Sequence, residues 1–171
     1  MEKIPQKRYD QTIRFIQSVM PNPCKVLDLG IENPFSEVMK ANGFKVFNTG
    51  GEDLDIMPQV VQEFDVELVT AIEILEHLVS PLQVLENLPA KKLVATIPLR
   101  LWFASAYKSK TDKWDRHYHE FEDWQFDWLL EKAGWKIIKR EKWVSPSKKL
   151  GFRPFLRKIT PRYYAIYAER V

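Results

Sequence analysis

Two short stretches carry the residues best equipped for chemistry. In the first, Glu73-Ile-Leu-Glu76-His77, two carboxylates stand three residues apart with an imidazole beside the second. Positions i and i+3 share a helix face, so Glu73 and Glu76 could meet one cation with His77 alongside. In the second, His117 and His119 alternate, and an extended segment would turn both toward one side. A neutral imidazole near pH 7 accepts a proton from a hydroxyl, which makes His117 and His119 candidate general bases, with His77 counted beside them.

The elements that must position these groups can be read upstream. Residues 65–72, DVELVTAI, are apolar and β-branched and read as a central strand that runs straight into Glu73. Earlier, Val26, Leu27 and Leu29 form an apolar run ending at Gly30, as expected of a strand buried on both faces. Pro34 suits a first helical position, Phe35, Val38 and Met39 recur at helical spacing, and Asn42-Gly43 supplies the stop before a second strand over 44–49. A helix-length crossover makes the two strands parallel. Ligands of such sheets bind at the carboxyl ends of the strands, where Gly30, Thr70, Ala71, Ile72 and Glu73 converge.

Three blocks then resemble one family. VLDLG at 26–30, FDVELVTAIEILEHLVSP at 64–81 and HYHEFEDWQFDWLLEKAGW at 117–135 are similar, in order and spacing, to segments of the class I, Rossmann-like S-adenosylmethionine-dependent methyltransferases. The resemblance implies an α/β fold: a mostly parallel sheet of about six strands, helices on both faces and an antiparallel last strand. It implies S-adenosylmethionine as cofactor and methyl transfer to a small-molecule acceptor. It carries cofactor binding onto Asp28, Gly30 and Ile31 in the first turn, onto Asn48 where the family usually has a ribose-binding acid, and onto Ile72 and Glu73. GEDLD at 51–55 is similar to the acidic loop that meets adenine, through Asp53 and Leu54; the other reading is a solvated acidic turn. Some relatives complete a Glu-x-x-Glu-His cluster with a distant His, here His117 or His119, to hold a divalent metal. In metal-free relatives the Glu-His pair orients the helix and lines the cleft, and no metal is assigned.

The departures carry information too. Glu32 and Pro34 stand where the family usually has glycines, and 50–64 has room for one short helix rather than a helix, strand and helix. The sheet should therefore lose an outer strand and leave 44–49 near one edge, which a second copy could cap. Ribose contacts would shift from Asn48 toward Glu52, Asp53 or Asp55. The alternative to an enzyme is a binding or regulatory protein of the same fold with weakened or lost cofactor use.

At 171 residues, 45% hydrophobic and 13% aromatic, the chain reads as a single domain, 1–171, with one sizeable core. Residues 5–20 form an amphipathic helix through Ile13, Phe15, Ile16 and Val19 that packs on the sheet edge or covers the cofactor cleft, with Lys3, Lys7 and Arg8 facing solvent. The aromatic segment 99–121 is an acceptor pocket or lid, or a loop anchored by its rings. A helix over 122–134 offers Trp124, Trp128, Leu129 and Ala133 to the core, followed by a strand. Residues 145–162 hold six lysines and arginines and no acid, as a solvated connection or as a site for an anionic acceptor, lipid headgroup or nucleic acid. A net charge of +3 argues against a nucleic-acid binder, and one cysteine, Cys24, excludes an internal disulfide. With no apolar run long enough for a bilayer and no secretory leader in MEKIPQKRYD, a cytoplasmic protein is expected.

Overall fold

Strand β1 (Lys25–Asp28) and strand β2 (Lys45–Asn48) flank helix α2 (Pro34–Ala41), and this unit is preceded by helix α1 (Gln6–Val19). The computed structural model describes residues 6–112, 115–145 and 151–171. Asn33 caps α2 by accepting from the amides of Phe35 (2.8 Å) and Ser36 (3.3 Å), and Pro34 fills the first turn, where its missing N–H has no intrahelical partner to lose. Beyond β2, the loop holds a 3₁₀ turn over Pro58–Glu63 and then strand β3 (Leu68–Ile72). A second 3₁₀ turn, Leu75–His77, leads to helix α3 (Pro81–Asn87), followed by strand β4 (Lys92–Pro98), helix α4 (Asp123–Lys132), strand β5 (Trp135–Val144), helix α5 (Phe152–Ile159) and strand β6 (Pro161–Arg170).

The six strands form one sheet in the order β2-β1-β3-β4-β6-β5. Strands β2, β1, β3 and β4 are parallel, whereas β6 runs antiparallel to both β4 and β5. The expected mixed sheet with an antiparallel last strand is present. The short 50–64 connection leaves β2 at the edge, where exposed Lys45 marks the unpaired side.

Alternation along the strands assigns the two faces. Val26, Leu68 and Val94 pack with Phe15, Ile16, Phe35 and Met39 of α1 and α2. Leu27, Val69 and Leu93 pack on the other side with Val84, Leu85, Phe126 and Leu130 of α3 and α4. Burial on both faces explains why these strands read as continuous apolar runs rather than alternating ones.

Four local expectations are corrected. Glu73 and Glu76 do not share a helix face: Glu73 has φ 52°, the turn after it is 3₁₀, and the α-helix begins only at Pro81. In α4, Phe126 and Leu130 are fully buried, while Trp124 and Trp128 are 48% and 65% exposed and pack edge-on against each other. The basic connection, read as a solvated link or an anion site, contains α5. Arg8 turns inward rather than to solvent, while Lys3 lies outside the described residues.

The α4 assignment predicts a sharp contrast. Phe126→Ala should cost about 3–5 kcal/mol, as for other buried aromatics, and Trp128→Ala less than about 1 kcal/mol, both measured by urea unfolding.

Candidate functional site

The end of β1 is organised by one buried carboxylate. Asp28, 1% exposed, accepts from Thr70 Oγ1 (2.7 Å), Ser36 Oγ (3.0 Å), Asn33 Nδ2 (3.3 Å) and Asn48 Nδ2 (3.4 Å). Burial raises its pKa, and those four hydrogen bonds pull it back down. The same Asn48 amide reaches the carbonyls of Asp28 and Gly30, so Asn48 fastens the β1–α2 loop instead of facing a ligand. An acid at this position would set a second negative charge against Asp28, which accounts for the amide. Gly30, at φ 98°, donates its N–H to Thr49 Oγ1 at 2.9 Å. Glu32 pairs with Lys40 on the surface and stays out of the cleft that opens here.

That cleft consists of two adjoining cavities at the carboxyl edge of the sheet. The larger, about 670 Å³, is bordered by Gly30, Ile31, Glu52, Asp53, Leu54 and Ile74. The smaller, about 410 Å³, is bordered by Arg8, Ile72, Glu73, Glu76, His117 and Tyr163. His77 and Asp115 line both. The structure thus gathers Gly30, Ile31, Asp53 and Leu54 on one side and Ile72, Glu73 and His117 on the other, with His77 between. Asp28 and Asn48 lie beneath the first side as its scaffold. Asp55 is spoken for, because its carboxylate accepts from the amides of Val79 (2.9 Å) and Ser80 (2.7 Å) ahead of α3.

The histidines part company. His77 Nδ1 lies 2.9 Å from the Arg116 carbonyl, which can only accept, so Nδ1 is the donor. The His117 ring meets that of His77 edge-on at 4.7 Å, and burial, followed by the His77 charge, lowers the His117 pKa. His119 instead aims Nε2 at the Val79 carbonyl (3.3 Å), stacks on Phe121, and borders neither cavity. The 115–121 segment is not a strand, so its alternation does not bring the two rings together. Its position comes from the Glu76 carbonyl, which accepts the amides of Tyr118 (2.9 Å) and His119 (3.2 Å).

Buried charge converges on the smaller cavity. Arg8 Nη1 meets Glu73 Oε2 at 2.6 Å and its guanidinium lies over the Tyr163 ring at 5.3 Å. Glu76 is 1% exposed, and burial, reinforced by the Glu73 charge, pushes its pKa up to about 8. Five buried side-chain atoms among the described residues lack a hydrogen-bond partner, and four of them belong to residues bordering the cavities: Arg8 Nε, Glu52 Oε2, Glu73 Oε1 and Glu76 Oε2. Buried polar groups are ordinarily satisfied, so atoms of this kind concentrated at one place are suited to a ligand. The side-chain donors of Glu76, His77 and His117 lie within 4.8 Å of one another, the one described group spaced to hold a metal ion.

Sequence reading turned Arg8 to solvent, counted Arg162 only among the basic residues of 145–162, and overlooked Tyr163. Arg8 precedes buried Thr12 by one helical turn, so the inward face of α1 already pointed to it. Arg162 and Tyr163 reach the site only through the pairing of β6 with β4, which no local pattern encodes.

No protein-family model and no curated protein sequence matches the chain. Solved structures do match its fold, and the architecture is that of the class I S-adenosylmethionine-dependent methyltransferases. A Burkholderia thailandensis 1,6-didemethyltoxoflavin-N1-methyltransferase, solved with 1,6-didemethyltoxoflavin and S-adenosylhomocysteine, superposes with TM-score 0.66 at 15% identity over 95% of this chain and 78% of that one. A SAM-dependent methyltransferase from Archaeoglobus fulgidus gives TM-score 0.62 at 16% identity, covering 95% and 94%. The [4+2]-cyclase SpnF gives 0.60 at 13% identity, covering 96% and 82%, so the fold by itself does not fix the reaction.

The state of Glu76 yields a pH test. Its folded pKa of about 8 lies above the ordinary carboxylate value, so the folded protein binds the extra proton and this contribution to stability fades as pH rises from about 5 to 8. The stability of wild type relative to Glu76→Gln should therefore fall across that window by up to about 1.4 kcal/mol per pH unit, followed by urea unfolding. A difference independent of pH would contradict it.

Proposed function

We propose that the chain is an S-adenosylmethionine-dependent methyltransferase with a small-molecule acceptor. The observation that carries this reading is the set of orphaned buried polar atoms on two adjoining cavities at the carboxyl edge of the sheet. The larger cavity takes the cofactor and the smaller one the acceptor. When bound, S-adenosylmethionine supplies a methyl group on a sulfonium sulfur, open to in-line displacement. Glu52 accepts hydrogen bonds from the ribose hydroxyls through its unpartnered oxygen, in place of the missing acid at position 48. Asp53 and Leu54 border the adenine, and Gly30 and Ile31 let the ligand approach the backbone.

On the acceptor side, the free oxygen of Glu73, whose carboxylate is paired with Arg8, favours a molecule that donates hydrogen bonds through hydroxyl or amino groups over a simple anion. Tyr9, Phe35 and Tyr163 supply apolar walls. His117, kept neutral by burial, takes the proton released by the attacking oxygen or nitrogen, and His77, fixed by the Arg116 carbonyl, holds the neighbouring ring in place. His119 keeps a positioning role.

Calorimetric titration with S-adenosylmethionine should give saturable binding that Glu52→Ala weakens about ten- to a hundredfold. With an acceptor in hand, His117→Ala should lower kcat about 10²-fold or more and leave cofactor affinity unchanged. Absence of any heat or thermal shift at millimolar cofactor would favour the alternative, a binding protein that retains only the fold.

A second reading follows from the spacing of Glu76, His77 and His117, which would let a divalent cation join the acceptor site. Treatment with a chelator distinguishes the two: unchanged activity and acceptor binding dispose of the metal, and a loss restored by one divalent ion establishes it.

A further inference from the structure

Among the described helices, the most lopsided is α5, which lies outside both cavities. Leu156 is its one buried residue and ties the helix to the body beside β5 and β6. Phe152, Phe155 and Ile159 are 72%, 58% and 64% exposed, and their spacing of three and four residues lines them along a single stripe beside Leu156. Arg153, Arg157 and Lys158 occupy the remaining faces, all exposed, and none pairs with a described carboxylate. Exposing two phenylalanines and an isoleucine side by side on so short a helix has a solvation cost that nothing in the described chain offsets.

We propose that α5 seats the protein on an anionic lipid surface. An apolar stripe flanked by arginine and lysine is the pattern of helices that lie in the headgroup layer, with rings sunk among acyl chains and cations at the phosphates. Charge decides between occupants. Residues 145–162 contain no acid, so a second copy docked through the same helix would bring cations against cations. A nucleic-acid backbone would satisfy the cations and leave the apolar stripe in water.

The placement ties this surface to the site. Tyr163 of β6 pairs with Pro98 at the end of β4, and α5 ends three residues before Arg162, whose side chain borders the acceptor cavity. Arg162 is itself fixed by donating to the Leu99 carbonyl at 2.7 Å. Trp102, 71% exposed, lies three residues beyond Leu99 and offers a second interfacial ring.

Co-sedimentation with vesicles tests it. The full chain should pellet with phosphatidylcholine vesicles containing about one third phosphatidylglycerol and remain in solution with phosphatidylcholine alone. Each basic side chain at such a surface is worth roughly a fivefold gain in partitioning, so Arg153→Glu/Arg157→Glu should reduce binding more than about tenfold. Phe152→Ser/Phe155→Ser should do the same while keeping all the charge, and both variants should melt at the wild-type temperature because the altered side chains are exposed. Three results would overturn the proposal: no pelleting by wild type, equal pelleting with neutral and anionic vesicles, or wild-type pelleting by both variants. It would be overturned equally if the serine variant abolished a concentration-dependent dimer seen in sedimentation velocity, or if a short RNA bound through the same side chains while vesicles did not.

Discussion

A single buried carboxylate holds the working edge of this protein together. Asp28 receives hydrogen bonds from β3 through Thr70, from β2 through Asn48, and from the start of α2 through Asn33 and Ser36. An unpaired carboxylate at 1% exposure would be costly, and satisfying it from these elements fixes where the strands end relative to one another. The Gly30 turn inherits its shape from that arrangement, and with it the floor of the larger cavity. Breaking one donor leaves a buried charge partly unmet, so the network acts as a unit rather than as a sum of contacts.

The second organising contact works through the backbone. The carbonyl of Glu76 accepts two consecutive amides from the 115–121 segment, and this draws His117 against His77 over the smaller cavity. Glu73, in the left-handed region at φ 52°, reverses the chain right at the end of β3 and turns its carboxylate toward Arg8 of α1. Such a conformation is uncommon for a residue with a side chain, and strain of this kind tends to gather at functional sites. Helix α1 thus does more than cover the sheet: through Arg8 it contributes one wall of the smaller cavity.

The parallel half of the fold was legible because burial on both faces writes itself as apolar runs, and because Pro34 and Asn42-Gly43 mark the ends of α2. Gly30, Ile72 and Glu73 could be singled out because each lies at a strand's carboxyl end, whereas Ile31, Asp53 and Leu54 rested on the family resemblance and His117 on the chemistry of its imidazole. What remained hidden depends on contacts distant in sequence. Alternation on an extended segment would have put His117 and His119 on one face, yet their segment is irregular and is held by the distant Glu76 carbonyl, so one ring enters the cavity and the other leaves it. Trp124 and Trp128 looked like core by hydrophobicity, and α4 buries Phe126 and Leu130 instead because these face the sheet. Helix α5 lies in a segment that was read only by its charge, and it carries Pro154 in its first turn, where proline is tolerated.

The central claim is that the larger cavity accepts the adenosyl ligand in the orientation set by Asp28 and its partners. A crystal structure of the protein soaked with S-adenosylhomocysteine tests this most directly. The account predicts density between Gly30 and Leu54, with the ribose hydroxyls on Glu52 and the sulfur directed toward His77 and the smaller cavity. Density lodged elsewhere, or the ribose bound away from Glu52 with the sulfur turned from His77, would contradict it.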